Sequence, residues 1–193
     1  MELKPIFDID TNIDQSEYCW LPDGFSDEEL MWLDNLKNLY PYDRASVDPS
    51  MVTEKRKSRI RYISHDDRSS WVFDKLKQFI VESNKTAWNF DLYSIIDSLQ
   101  HSEYLEGDFC DFHMDIDEKG TKYRKISVIV QLSDPSEYDG GDLEVWSEGK
   151  FEVLSKEKGC VFIFPSFILH RVTPITRGIR KSLVLYAGGG SYK

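Results

Sequence analysis

The chain has 193 residues, of which 40% are hydrophobic and 13% aromatic, and a formal net charge of −10; that suits one domain, 1–193, with a packed core rather than a disordered chain. The charge argues against a nucleic-acid backbone as the main partner, because such binding rests on neutralising phosphates. No apolar run approaches the length of a membrane span, Met1-Glu2-Leu3-Lys4 leads into acidic sequence without the apolar stretch of a secretory signal, and Cys19, Cys110 and Cys160 are odd in number and far apart, so a reducing, cytoplasmic setting is expected.

Residues 1–19 read as an irregular acidic lead-in, and Leu21-Pro22-Asp23-Gly24 as a turn. Ser26 stands three positions before Glu29, a capping box. It opens a helix to about Tyr40 whose stripe holds Leu30, Leu33, Leu36 and Leu39, and Pro41 stops it. Residues 41–56 read as a loop, and the sequence does not decide whether 41–57 form a lid. Lys55, Arg56, Lys57, Arg59 and Arg61 make a basic cluster in an acidic chain. A solvated face is the commoner meaning of such a run; an entrance that steers an acidic substrate is the functional one. Arg59 to Ile63 predicts a strand. Ser69 or Ser70 caps a second helix carrying Trp71, Val72, Leu76, Phe79 and Ile80. It ends near Ser83-Asn84, where asparagine can take the left-handed conformation.

From Trp88 the period becomes alternating. Strands are predicted at 90–96, 98–105, 111–116, 123–132, 142–146, 151–154, 160–164, 168–173 and 179–187. In 123–132, Ile126, Val128, Val130 and Leu132 fall on one face, and Lys125, Ser127, Ile129 and Gln131 on the other. Many short strands between Gly, Pro and Asp turns indicate a mainly β fold, a double-stranded β-helix (jelly roll). Helical support at about 19–88 packs on one sheet of a core at about 89–187.

The chemistry gathers in the second half. His113 and Asp115 are two apart, so on a strand they share a face. A His-x-Asp alone is weak. His170 follows 55 positions after Asp115, beyond the apolar strand Cys160–Phe164, and Pro165 lets the next segment swing the imidazole back. Arg180 comes ten positions after His170, with Ser182 on the same strand face, and Gly140-Gly141 marks a tight turn in the interval. Two histidines and one carboxylate with positions left open suit non-haem Fe(II) and oxygen. His65 and His101 lie outside this set, with surface or supporting polar roles.

The run Tyr104-x-x-Gly107, His113-x-Asp115, Arg124-Lys125-x-Ser127, Tyr138-x-Gly140-Gly141-x-Leu143, Phe164-Pro165-Ser166, His170-Arg171-Val172-x-Pro174 and Gly178-x-Arg180-x-Ser182 resembles the 2-oxoglutarate- and Fe(II)-dependent dioxygenases. Within them it is similar to the prolyl 4-hydroxylase-like, PKHD-type group. Arg59 to Ile63, Trp71, Asn84 and Trp88-x-Phe90-Asp91 extend the likeness to roughly Cys19–Tyr186. The resemblance implies Fe(II) held by His113, Asp115 and His170, with 2-oxoglutarate, O2 and L-ascorbate as reductant. Arg180 is then the catalytic cation on the distal carboxylate of 2-oxoglutarate, supported by Tyr104, Ser182 and, on a weaker analogy, Gln131. Arg124 becomes a substrate contact, although a salt bridge on the sheet accounts for it equally well. Because Asp115 is present, the implied reaction is hydroxylation of a C–H bond, with 2-oxoglutarate converted to succinate and CO2.

The implied partner is a peptide or protein containing proline, no membrane is expected, and nucleic-acid demethylation is a third reading that the charge disfavours. Another amino-acid side chain or a small molecule is the nearest enzyme alternative. A metal-free jelly-roll binding module is the alternative outside enzymes, and the set His113, Asp115, His170 and Arg180 argues against it, since a sheet needs none of them for packing.

Overall fold

The computed structural model describes residues 17–40, 55–117 and 121–190 of the chain. The predicted lead-in before Glu17, the Leu39 side chain and the 41–54 part of the predicted loop lie outside the described residues. In order, the elements are β1 (Cys19–Leu21), α1 (Asp27–Leu39), β2 (Arg56–Lys57), β3 (Arg59–Ile63), α2 (Ser70–Ser83), β4 (Leu92–Ile95), β5 (Leu99–Tyr104), β6 (Phe109–His113), β7 (Arg124–Gln131), β8 (Tyr138–Gly140), β9 (Leu143–Ser147), β10 (Lys150–Val153), β11 (Val161–Pro165), β12 (His170–Val172), β13 (Ile175–Gly178) and β14 (Arg180–Gly189). The predicted strands are present with ends shifted by a few residues. Four short ones (β1, β2, β8 and β13) were not predicted; at two to four residues they hold too few side chains to show a period.

Helix α1 begins as its capping box requires, with Glu29 N donating to Ser26 Oγ at 3.3 Å and Ser26 N to Glu29 Oε2 at 2.8 Å. Lys75 Nζ also reaches Glu29, at 2.6 Å, and ties α2 to α1. Helix α2 begins and ends where the sequence places it, with Ser69 at the N-cap and Asn84 at the C-cap, but neither residue acts as expected. Ser69 makes no capping bond from its side chain; its hydroxyl turns back to Ser64 O at 2.6 Å. Asp66 takes its place, accepting from Arg68 N and Ser69 N at 2.9 and 3.2 Å, where its charge also suits a helix N-terminus. At the other end Asn84 stays right-handed and the chain continues as a π turn, Asn84–Trp88, until Asn89 takes the left-handed conformation at φ 52°. The Asn84 amide is committed to the backbone of Phe90, donating to its carbonyl at 2.9 Å and accepting from its N–H at 2.8 Å. That bridge fixes the exit from the helical region.

Two antiparallel sheets face each other, as a jelly roll requires. The larger runs β1-β11-β7-β14-β5-β3, with β4 also on β14; the smaller runs β10-β9-β12-β6-β2; β13 and β8 form a separate ribbon. The alternation on β7 sorts its side chains as expected. Ile126, Val128 and Val130 join Leu183 and Leu185 of β14 and meet Leu30, Leu33, Leu36, Leu76 and Ile80 from the helices. Both helices therefore buttress the outer face of the larger sheet. The opposite face of β7 and β14 looks into the space between the sheets, where Ile129, Phe162, Phe164, Val145 and Val172 form a second core. That core fills one part of the interior, and polar side chains fill the rest.

Two stability predictions follow from local features. His101 is fully buried on β5 with neither ring nitrogen hydrogen-bonded, and burial lowers its pKa to about 4, against a partial pull upward from Glu103. A depressed histidine favours the neutral folded form, so its stabilisation is complete above the unfolded value of about 6.5 and is lost as pH falls towards 4. The integrated loss is about 3 kcal/mol at ~1.4 kcal/mol per unit. Urea denaturation at pH 7 and pH 4.5 should show the loss, and His101→Phe should flatten it. Gly178 has φ +78°, and a Cβ there would stand 2.0 Å from Glu137 O, a rigid backbone atom. Gly178→Ala is expected to lower stability by about 1–3 kcal/mol in the same assay.

Candidate metal centre

β6 and β12 pair so that His170 stands opposite His113, with a bulge between this pair and Val172–Cys110. The bulge turns both Cys110 and His113 towards the interior, where they line one cavity with His170 and Asp115. Asp115 follows β6 and is pinned through its backbone, its N–H donating to Ser166 O at 2.9 Å. Pro165 ends β11, and the turn after it delivers His170 to the smaller sheet.

The three side chains converge. One ligand atom from each of His113, Asp115 and His170 lies within 4.8 Å of the others. His113 Nε2 is 3.5 Å from Asp115 Oδ1, and His170 Nε2 is 3.6 Å from Oδ2. Each Nδ1 faces a main-chain carbonyl at 2.9 Å, Asp111 O for His113 and Ile168 O for His170. A carbonyl only accepts, so Nδ1 carries the proton and Nε2 is the atom aimed at the shared point. Burial works against charge on His113, but the Asp115 carboxylate and the Cys110 thiol beside it win and push its pKa up to about 10. Burial also works against ionised Asp115; His170, His113 and Ser127 outweigh it and hold the carboxyl well below its usual range. Burial keeps His170 low. A buried carboxylate facing two imidazole nitrogens, each backed by a carbonyl, is the donor set a divalent transition metal takes, so the residues fit Fe(II).

Arg180 lies further along the same cavity, on β14. It is 1% exposed. Its Nη2 donates to Gln131 Oε1 at 2.9 Å and Nη1 to Ser182 Oγ at 3.4 Å, while the Tyr104 ring lies 5.5 Å from the guanidinium carbon. Nε has no partner. A buried guanidinium whose Nε–H has no partner, and whose five donors the two bonds above do not exhaust, fits an incoming carboxylate, because an unmet buried donor is costly. The structure thus gathers Tyr104, Gln131 and Ser182 around Arg180. Gln131 meets the cavity through Arg180, its oxygen orienting the guanidinium.

The structure bears on two readings left open by the sequence. Arg124 is engaged on the sheet: Nε and Nη2 reach Asp97 Oδ2 at 2.9 and 2.8 Å, Nη1 reaches the Asp115 carbonyl at 3.2 Å, and its plane lies 3.6 Å over the Tyr186 ring. The basic cluster does not form one patch. Arg56 turns into the cavity, Lys57 pairs with Asp108 at 3.1 Å, and Arg61 lies near His101 on the other side of the larger sheet. Residues without an assigned role in the sequence reading also touch the centre. Ser127 donates to Asp115 Oδ2 at 2.7 Å and accepts from the Ser166 hydroxyl at 2.9 Å, and Tyr186 donates to Oδ1 at 3.3 Å. The signal was available: 180, 182, 184 and 186 share a strand face.

Residues 99–188 match the 2OG-Fe(II) oxygenase superfamily. A PKHD-type hydroxylase of Synechococcus sp. (strain JA-2-3B'a(2-13)) is 32% identical over 93 residues, covering 48% of this chain and 42% of that protein. The match spans less than half the length of that relative. Among solved structures, a Trichoplax adhaerens prolyl hydroxylase in complex with a hypoxia inducible factor oxygen degradation domain peptide fragment superposes with a TM-score of 0.72 at 17% identity, over 93% of this chain and 84% of that one. HygX from Streptomyces hygroscopicus, with nickel, 2-oxoglutarate and hygromycin B bound, gives 0.68 at 11% identity, over 93% and 85%. Both likenesses confirm the jelly-roll fold.

Proposed function

We propose, from the match of residues 99–188 to the 2OG-Fe(II) oxygenase superfamily, that this chain is a 2-oxoglutarate- and Fe(II)-dependent dioxygenase that hydroxylates a C–H bond, with peptidyl proline as substrate. The observation that carries this reading is the convergence of His113, Asp115 and His170 in one cavity with the half-satisfied guanidinium of Arg180. O2 is the oxidant: Fe(II), when bound, would activate it, 2-oxoglutarate would give two electrons and take one oxygen atom in becoming succinate and CO2, and the other atom would enter the substrate C–H bond; L-ascorbate serves to keep the iron ferrous.

The chain's own part is binding, orientation and exclusion of water. His113 and His170 present Nε2 because their carbonyl partners hold Nδ1–H. Asp115 supplies the negative charge, kept ionised by its neighbours. Three protein ligands leave the remaining positions for co-substrate and oxygen. Arg180 fixes the far carboxylate of 2-oxoglutarate through its planar fork, which Gln131 and Ser182 aim. Val184 and Ile129 line the cavity among these groups and give its wall an apolar part.

Hydroxylation is supported by the PKHD-type hydroxylase relative, and proline in a peptide by the likeness to the peptide-bound prolyl hydroxylase. The HygX likeness favours a second reading, a small-molecule hydroxylase. Incubation with proline-containing peptides, free proline and aminoglycosides, read by mass spectrometry and succinate release, separates the two. A 16 Da gain confined to peptides supports the first (one oxygen atom, about 16 Da), and a gain confined to a small molecule replaces it. No described helix is long and apolar enough to cross a membrane.

A further inference from the structure

The carboxylate of Asp115 is 7% exposed, and the way it is held goes beyond what ligating a metal requires. Two hydroxyls reach it from adjacent strands. Ser127 on β7 donates to Oδ2 at 2.7 Å, and Tyr186 on β14 donates to Oδ1 at 3.3 Å. The sheet places these donors side by side, since Tyr186 and Ser127 are register partners. Ser127 alone would leave the carboxylate plane free to swing about one bond, because the terminal torsion of aspartate is soft.

Arg124 closes the assembly. It touches Asp115 from two sides: directly, through the carbonyl at 3.2 Å, and indirectly, through the Tyr186 ring 3.6 Å below its guanidinium. Asp97 holds Arg124 in turn, through two nitrogens. A cation over the ring face is attracted by the ring quadrupole, which fixes the phenol where its O–H meets Oδ1. Backbone and side chain of one residue are thus tied to a single guanidinium.

We propose that Tyr186, clamped by Arg124, is a positioning residue that sets the plane of the Asp115 carboxylate and thereby the affinity of the metal centre. The proposal rests on the metal-centre reading above. It assigns Arg124 to the support of the site, where the sequence left a substrate contact and a salt bridge on the sheet equally open, and it gives Tyr186 a role that core packing alone does not.

The test is Co(II) titration of the full chain under anaerobic conditions, followed by its visible absorption, alongside thermal unfolding of the metal-free protein. Tyr186→Phe keeps the ring and loses only the hydroxyl. It should weaken Co(II) binding by about 10-fold, within the range of outer-shell changes, with Tm unchanged within about 2 °C. Arg124→Gln should weaken binding by a similar factor, and the double variant by no more than the larger single effect, because both act through one strap. Co(II) affinity of Tyr186→Phe within twofold of the parent overturns the proposal, as does full additivity in the double variant. If Tyr186→Phe fails to fold, the Arg124→Gln affinity decides by the same criterion. A parent protein that binds no Co(II) overturns the metal-centre reading itself, an outcome distinct from a parent that binds and variants that match it.

Discussion

Asp115→Ala should lower substrate hydroxylation by at least about 10³-fold, equivalent to about 4 kcal/mol of barrier, and Fe(II) affinity with it. Asp115 is the only carboxylate among the described residues that joins the two imidazoles. Its loss leaves two neutral ligands in a buried site and removes the negative charge that offsets a divalent cation. The loss should not be recovered by Asp115→Glu at ordinary iron concentrations. An extra methylene pushes the carboxylate into the space set by Ser127 and Tyr186, whose hydroxyls hold the present oxygens at 2.7 and 3.3 Å. Turnover measured against Fe(II) concentration checks both statements. Wild-type turnover in the alanine variant at saturating iron would remove Asp115 from the chemistry.

The second large effect concerns the other end of the cavity. Arg180→Met should raise the KM for 2-oxoglutarate by about 100-fold or more, since a buried, charge-assisted pair broken on one side costs roughly 3–5 kcal/mol. The substitution keeps a long apolar stem and removes the fork. Arg180→Lys should recover only part of the loss, because an ammonium offers a point charge where the Gln131 and Ser182 contacts orient a plane. Succinate release against 2-oxoglutarate concentration reads both variants. KM values within threefold of wild type would show that the distal carboxylate binds elsewhere.

Much of this architecture could be read from residue types and spacing. The alternation over 123–132 separates the helix-facing Ile126, Val128 and Val130 from Ser127, Ile129 and Gln131, and the two sets do enter different surroundings. The Ser26–Glu29 capping box was legible because both partners lie within one turn. Helix α2 was less so: Asp66 caps it from a turn whose geometry depends on Ser64 and Ser69, and no short pattern records that. Asn84 illustrates the same limit, since its amide is spent on Phe90, six residues away. The convergence of His113, Asp115 and His170 could be anticipated, whereas the bulge that also turns Cys110 inward could not. Arg124 was ambiguous for a physical reason. Its partners Asp97 and Tyr186 lie 27 and 62 positions away, and only strand register brings them to it. The basic cluster, for which a solvated face was the commoner reading, is dispersed because adjacent strand positions point to opposite faces, which separates charges that are contiguous in sequence.

The most direct test of the whole account is an anaerobic optical titration of the wild-type chain with Fe(II) and 2-oxoglutarate together. The account predicts a visible charge-transfer band that needs both components and saturates at one equivalent of iron; it should be absent in Asp115→Ala and demand far more 2-oxoglutarate in Arg180→Met. No band from the wild type at saturating Fe(II) and 2-oxoglutarate, or an undiminished band from Asp115→Ala, would contradict it.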